Sequence, residues 1–294
     1  MNLPRSIAQK LDSIDTIATL PNIATEILEI MRKETSSMRE IARVIEQDPS
    51  ITAKILKVAN SPLWGYSGRV ENIQRALVLM GLKQVSNIVI AISLYSTFAK
   101  LKPNPFFDRK KFWLHSVGTA QIARKLSKQL KVNFYGEEFV AGLLHDLGKM
   151  LLDQFWGEEF KKLIEQARAE SNRILVKERQ EFGCTHAEIG AYLLQKWNFP
   201  KPIVNVVHFH HTPSRANADQ ELIGLISLSE MLCELWGVGF DEDIKSTSLS
   251  NNWSWKLFKS RFPEQLRNFD VERFLFEMEK EMENAQLFIE LVKD

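Results

Sequence analysis

All six histidines of this 294-residue chain fall between positions 115 and 211: His115, His145, His186, His208, His210 and His211. Neutral imidazole is a common ligand of zinc, iron and other transition metals, and carboxylates complete such sites. A lone histidine is by default an ordinary core or surface residue. The clustering changes that expectation, because His145 and Asp146 follow the apolar run Phe139 to Leu144, where an ionised carboxylate is costly unless it is paired or coordinated. A mixed nitrogen and oxygen donor set of this kind suits a divalent first-row ion (iron, zinc or manganese) better than magnesium. Such an ion lowers the pKa of a bound water toward neutrality and can clamp phosphate oxygens. Lys149, three residues after Asp146, has two readings: a cation that offsets charge on a phosphate, or a solvated lysine at a helix end. His208 reads as an ordinary polar position on a helix.

Apolar residues recur at spacings of three and four along the whole chain, and period-two alternation is scarce, so the expected fold is all-α. In the first third, Ile23, Ile27, Ile30 and Met31 form one stripe, and Ile41, Ala42 and Ile45 form another. Asp48 followed by Pro49 has the pattern of an N-cap with proline in the first turn. Ile73, Ala76, Leu77 and Met80 make a helix closed by Gly81, after which Val85, Ile88, Val89 and Ile92 begin the next. Pro103 and Pro105 interrupt the pattern and mark a boundary, giving an N-terminal helical part over 1–105. A second helical part, 106–240, opens with a long helix on which His115 shares a stripe with Thr119, Ile122, Leu126 and Leu130. Thr185 and Glu188 have capping-box spacing, which puts His186 in the first turn of a helix. A helix over Leu222 to Trp236 ends at Gly237, and 241–294 reads as a separate helical extension.

Thirty-eight Lys and Arg against 37 Asp and Glu leave a net charge of +1 with both signs interspersed, which argues against a nucleic-acid footprint. The charge run Glu277 to Glu283 reads as a solvated helix face. The N-terminus lacks a signal-peptide pattern, and the most apolar stretch, Ile88 to Leu94, is far too short to span a bilayer. Cys184 and Cys233 are the only cysteines and have no CxxC spacing, so the expectation is a cytoplasmic protein in a reducing compartment, with no membrane partner.

The segment Phe139-Val-Ala-Gly-Leu-Leu-His-Asp-Leu-Gly-Lys149 is similar to the core motif of the HD phosphohydrolase superfamily, and Trp113-Leu-His-Ser116 resembles its upstream histidine. His186-Ala-Glu-Ile-Gly190, Trp197-Asn-Phe-Pro200 and His210-His211 resemble the motifs that follow in the HDOD branch. Leu20-Pro21, Asp48-Pro49, Ala59-Asn60-Ser61 and Leu79-Met80-Gly81 are similar to the HDOD signatures of the N-terminal part. The resemblance covers roughly residues 14 to 237, and the ordered series of motifs makes it specific where an HD pair alone is not. It implies two helical parts, with His115, His145, Asp146, His186, His210 and His211 as metal ligands. Glu230 stands where the family has a later aspartate; it is either a ligand or a partly exposed helix residue. HD-GYP relatives carry an acidic residue where this chain has Lys111, and a Gly-Tyr-Pro segment where it has Thr212-Pro213-Ser214. A lysine near the site disfavours a second cation, so the expectation is fewer than two ions. The resemblance implies a bacterial signal-transduction output module that receives its input from a protein partner. The alternative is a metal-dependent phosphohydrolase, with Asp146 and Lys149 in catalysis and a nucleotide or other phosphate as ligand.

Overall fold

The computed structural model describes residues 3–13, 20–33, 36–62, 69–101, 104–170, 173–239 and 249–293. Helix follows helix throughout, with no strand among the described residues. The N-terminal part comprises α1 (Arg5–Asp12), α2 (Asn22–Met31), α3 (Met38–Glu46), α4 (Pro49–Ala59), α5 (Ile73–Met80) and α6 (Leu82–Ala99). Its starts are set by side chains: Ser37 forms a capping box with Glu40, and Asp48 and Asn72 each accept from a backbone N–H three residues on. Gly81 has φ +86°, a conformation that favours glycine, and α5 and α6 meet there at a 120° bend. From Val85 to Tyr95, α6 is buried all round, so the apolar stretch read from the sequence is the interior helix of this part.

The second part begins with α7 (Arg109–Leu130), three residues later than Phe106 because Asp108 caps it by accepting from the Lys111 N–H at 2.9 Å. Then come α8 (Glu137–Leu144), α9 (Leu147–Phe155), α10 (Gly157–Ala169), α11 (Ile174–Phe182), α12 (His186–Lys196), α13 (Lys201–Phe209) and α14 (Gln220–Leu235). After 248 the chain forms α15 (Trp253–Arg261), α16 (Pro263–Leu266), α17 (Val271–Phe276) and α18 (Met278–Val292). Pro103 and the boundary at 240–241 lie outside the described residues.

Helix α7 is the central strut, packed by α8, α14 and α18. Gly118 and Gly142 permit this closeness: a Cβ on Gly142 would fall 2.6 Å from Ala120 Cα, and one on Gly118 would fall 3.0 Å from Cys233 Sγ. Helix α18 buries Met278, Met282, Ala285, Phe288 and Val292, sets Phe288 against Phe139 at 5.1 Å between ring centres, and also touches α4. The charge run at its start is only partly solvated, because Glu277 and Glu281 close on Lys125 of α7 at 3.1 and 3.7 Å.

Candidate metal centre

Four helices and one interruption build the site. His115 projects from the buried face of α7. The helix that begins at Glu137 ends at Leu144, and Asp146 takes φ −99°, ψ 12° before α9 starts, so His145 and Asp146 occupy the break between two helices. Thr185 caps α12 as its spacing predicts, placing His186 in the first turn. Gly148 then decides the meeting: a Cβ there would lie 1.9 Å from the His186 carbonyl oxygen, so only glycine lets α9 cross the start of α12. Gly190 faces the same crossing, with its own Cβ position 3.0 Å from the Gly148 nitrogen. His210 and His211 follow α13, and Glu230 comes from α14.

The imidazoles are oriented from behind. Nδ1 of His115, His145 and His210 lies 2.8, 2.7 and 2.9 Å from the carbonyls of Val238, Gly142 and Val207. A carbonyl only accepts, so each Nδ1 carries the proton and each Nε2 presents a lone pair. His186 is held differently, with Nδ1 2.8 and 2.9 Å from the two oxygens of Glu178, which also accepts the His186 backbone N–H at 2.9 Å. All four Nε2 atoms face Asp146. His186 and His210 approach Oδ1 at 3.2 and 3.6 Å, and His145 and His115 approach Oδ2 at 3.4 and 3.6 Å.

Two donor groups result, each with its ligand atoms within 4.8 Å of one another: Asp146, His186, His210 and His211, and His115, His145, Asp146 and Glu230. Every ligand residue implied by the sequence therefore converges here, Glu230 included. Glu230 is 5% exposed, with Oε1 3.9 Å from His145 Nε2 and 3.7 Å from His211 Nδ1. His208 stays outside both groups and stacks on Phe209 at 4.3 Å.

Burial pushes His115 down to about 3 and His210 down to about 4, and it holds His211 well below its ordinary value, so these rings are neutral at pH 7. Burial also opposes charge on Asp146, but Lys149, then His145 and His186, outweigh it and keep the carboxylate ionised. At His186 burial is again overcome, chiefly by Glu178, and the ring is pushed up to about 9. His145 Nε2, His210 Nε2 and Asp146 Oδ1 are buried without a hydrogen-bond partner. Lone pairs aimed at one another in a dry interior repel, and a cation among them removes the conflict. The donor set fits a divalent transition ion on that ground.

Lys149 corrects one of its two readings. It is 2% exposed, not solvated, and its ammonium donates to Asp146 Oδ2 at 2.8 Å. Lys111 is partly exposed and has no ion pair among the described residues. Glu178 was not singled out in the sequence, although a signal was present: it lies on the stripe between Ile174 and Phe182, four residues from each, where an unpaired acid is costly. Within the ligand set only the His211 and Glu230 side chains reach solvent appreciably, at 13% and 6%. Two cavities, of about 520 and 340 Å³, share His211, Thr212 and Arg215 in their walls.

The HDOD domain family model matches residues 17–213. The chain belongs to the HDOD family. An uncharacterised protein of Treponema pallidum (strain Nichols) is 30% identical over 226 residues, which is 75% of this chain and 42% of the relative. YuxH of Bacillus subtilis (strain 168), also uncharacterised, is 31% identical over 68 residues, 23% of this chain and 17% of the relative. The HDOD chain thus spans less than half the length of these curated relatives. An HDOD domain protein of unknown function from Geobacter sulfurreducens superposes with a TM-score of 0.79 at 24% identity, covering 97% of this chain and 96% of its own. A Shewanella amazonensis SB2B protein that carries a provisional phosphohydrolase designation superposes with a TM-score of 0.70 at 23% identity, covering 97% of this chain and 98% of its own. These likenesses establish the all-α HDOD fold.

Proposed function

We propose that this HDOD chain is a signal-transduction output module whose His/Asp centre holds one divalent first-row transition ion, iron, zinc or manganese. The observation that carries the reading is the set of buried Nε2 and Oδ1 atoms that face one another with no hydrogen-bond partner, while every Nδ1 behind them is oriented by a carbonyl or carboxylate. Fewer than two ions are expected, because the Lys149 ammonium already neutralises Asp146 Oδ2. The ion would be held either by Asp146, His186, His210 and His211, joining the α8–α9 break to α12 and the end of α13, or by His115, His145, Asp146 and Glu230, joining it to α7 and α14. In either case it would couple metal loading to helix placement that a signalling partner could read. Among the described residues no single helix is long and apolar enough to cross a membrane. We place the module in the cytoplasm, a reducing setting in which its two free, buried cysteines stay reduced. Elemental analysis of protein purified without added metal is the test. A stoichiometric first-row ion, below two equivalents, is expected; absence of metal above background, even after refolding with each candidate ion, sinks the reading.

Phosphohydrolysis is the second reading, favoured by one observation: Asp146 offers one oxygen to each donor group, as a carboxylate between two ions would. It also accords with the designation of the Shewanella relative. Little or no hydrolysis of cyclic di-GMP is expected. Linear product formation with manganese or iron, abolished by Asp146→Asn, would promote this reading over the first.

A further inference from the structure

The 340 Å³ cavity is lined by His210, His211 and Glu230 of the centre, together with Arg173, Arg215 and Trp253. Its size is at the small end for ligand sites, suited to a compact molecule. Three features indicate its chemistry. Arg215 is exposed and its side chain has no hydrogen-bond or ion-pair partner among the described residues, which leaves its guanidinium fork available for a phosphate. The histidines would bring an ion to the same space. Trp253 places a half-buried indole in the wall, and it lies beyond residue 213, where the family match ends.

The wall is anchored. Asn252 caps α15 by accepting from the Trp255 N–H at 3.0 Å, and its amide reaches Met231 Sδ at 3.4 Å on α14, one residue from Glu230. Arg261, at the other end of α15, pairs with Glu221 of α14 at 2.7 Å. The start of α15, which carries Trp253, is therefore fixed relative to a donor of the centre. Glu234 also lines the cavity, so the charge there is mixed and a bare phosphate gains only modest affinity.

We infer that Trp253 is the specificity-determining wall of a binding site for aromatic phosphate monoesters, with the phosphate between Arg215 and the centre and the planar ring against the indole. The inference rests on the proposed ion for one of its anchor points. Stacking of a planar ring on an aromatic side chain then supplies the selectivity that the mixed charge does not.

The test is calorimetric titration of the metal-loaded full chain with inorganic phosphate and with phenyl phosphate. Phenyl phosphate is expected to bind about tenfold tighter, the size of one stacking contact. Trp253→Ala should erase that difference while leaving the phosphate Kd within about twofold, and Trp253→Phe should keep most of it. Arg215→Gln should weaken both ligands by about tenfold, as loss of a charge-assisted contact does. If Trp253→Ala does not fold, Trp253→Leu, which keeps apolar volume without the ring, decides the matter in its place. Equal affinities in the wild type, or a preference that survives loss of the ring, overturns the inference. Metal content measured on the same samples separates the two failures. Full loading with no preference removes the wall and leaves the centre standing, whereas a preference in ion-free protein keeps the wall and removes the ion.

Discussion

Helices α2–α5 each bury one face and leave the other to solvent, whereas the helices around Asp146 are buried almost throughout, and the two sets treat polar atoms in opposite ways. In α2–α5 the polar groups close locally: Ser37, Asp48 and Asn72 cap helices, and Asn60 both donates to the Val70 carbonyl and accepts its N–H at 2.8 Å. No buried side-chain nitrogen or oxygen of those helices lacks a partner among the described residues. Around Asp146, Oδ2 accepts from Lys149, but Oδ1 and the Nε2 atoms of His145 and His210 are buried without a hydrogen-bond partner. The first arrangement is complete as a fold. The second is an arrangement that a cation would complete, since a buried polar group without a partner costs about 1 to 3 kcal/mol.

The largest effect that should sharpen this contrast is that of Asp146→Ala. It removes the carboxylate common to both donor groups and strands the Lys149 ammonium in the interior, so stability should fall by about 3 to 5 kcal/mol and the melting temperature by roughly 10 °C. A chelator should lower the wild-type melting temperature and hardly change that of the variant, because only the wild type has an ion to lose. Identical melting curves for both proteins, with and without chelator, would make the centre a relic of the family.

Glu178→Gln comes next. His186 would keep its place in α12 but lose the carboxylate behind Nδ1, and loss of such a partner weakens metal affinity by about 10- to 100-fold. Competition against a fluorescent chelator reads this directly. Unchanged affinity would show that the helix cap alone orients the ring.

A smaller signature lies in the pH dependence of the metal-stripped protein. His115 and His210 have folded values of about 3 and 4, below an unfolded value near 6.5, so unfolding takes up protons on the acid side. Their contribution to stability is intact above pH 6.5 and falls away as the pH drops toward 4 and 3. His186 has the opposite sign: with a folded value of about 9, its contribution is full below pH 6.5 and is lost as the pH rises to 9. Denaturant melts across this range should therefore narrow on both sides for stripped protein and broaden on loading with the ion. Profiles that superpose would break the contrast.

The smallest effect belongs to the first region. Val78 on α5 is 65% exposed, and Val78→Ser should change stability by no more than about 0.5 kcal/mol, as for most surface positions. A drop well beyond that, in chemical denaturation, would mean that this face is covered in solution.

The elements were legible in the sequence because the signals that set them are local. Asp48-Pro49, the Thr185 and Glu188 pair and Gly81 each act within one helical turn, and each is found in the expected role. The ligand types were legible too, since a histidine and an aspartate closing an apolar run are conspicuous wherever they land. Lys149 was misjudged in one of its readings because sequence position near a helix end says nothing about what other helices cover. Glu178 carried a faint signal as an acid on an apolar stripe, but its partner lies eight residues away across a turn. The amino-acid sequence by itself thus determined an all-α chain of the HDOD family and the identity of its donor residues. Only tertiary structure decided which atoms meet: contact of α9 with α12 through Gly148, the Val238 carbonyl behind His115, the ammonium on Asp146 and the indole from beyond the family match. These are contacts between distant segments, and their energies depend on mutual burial that no local pattern encodes.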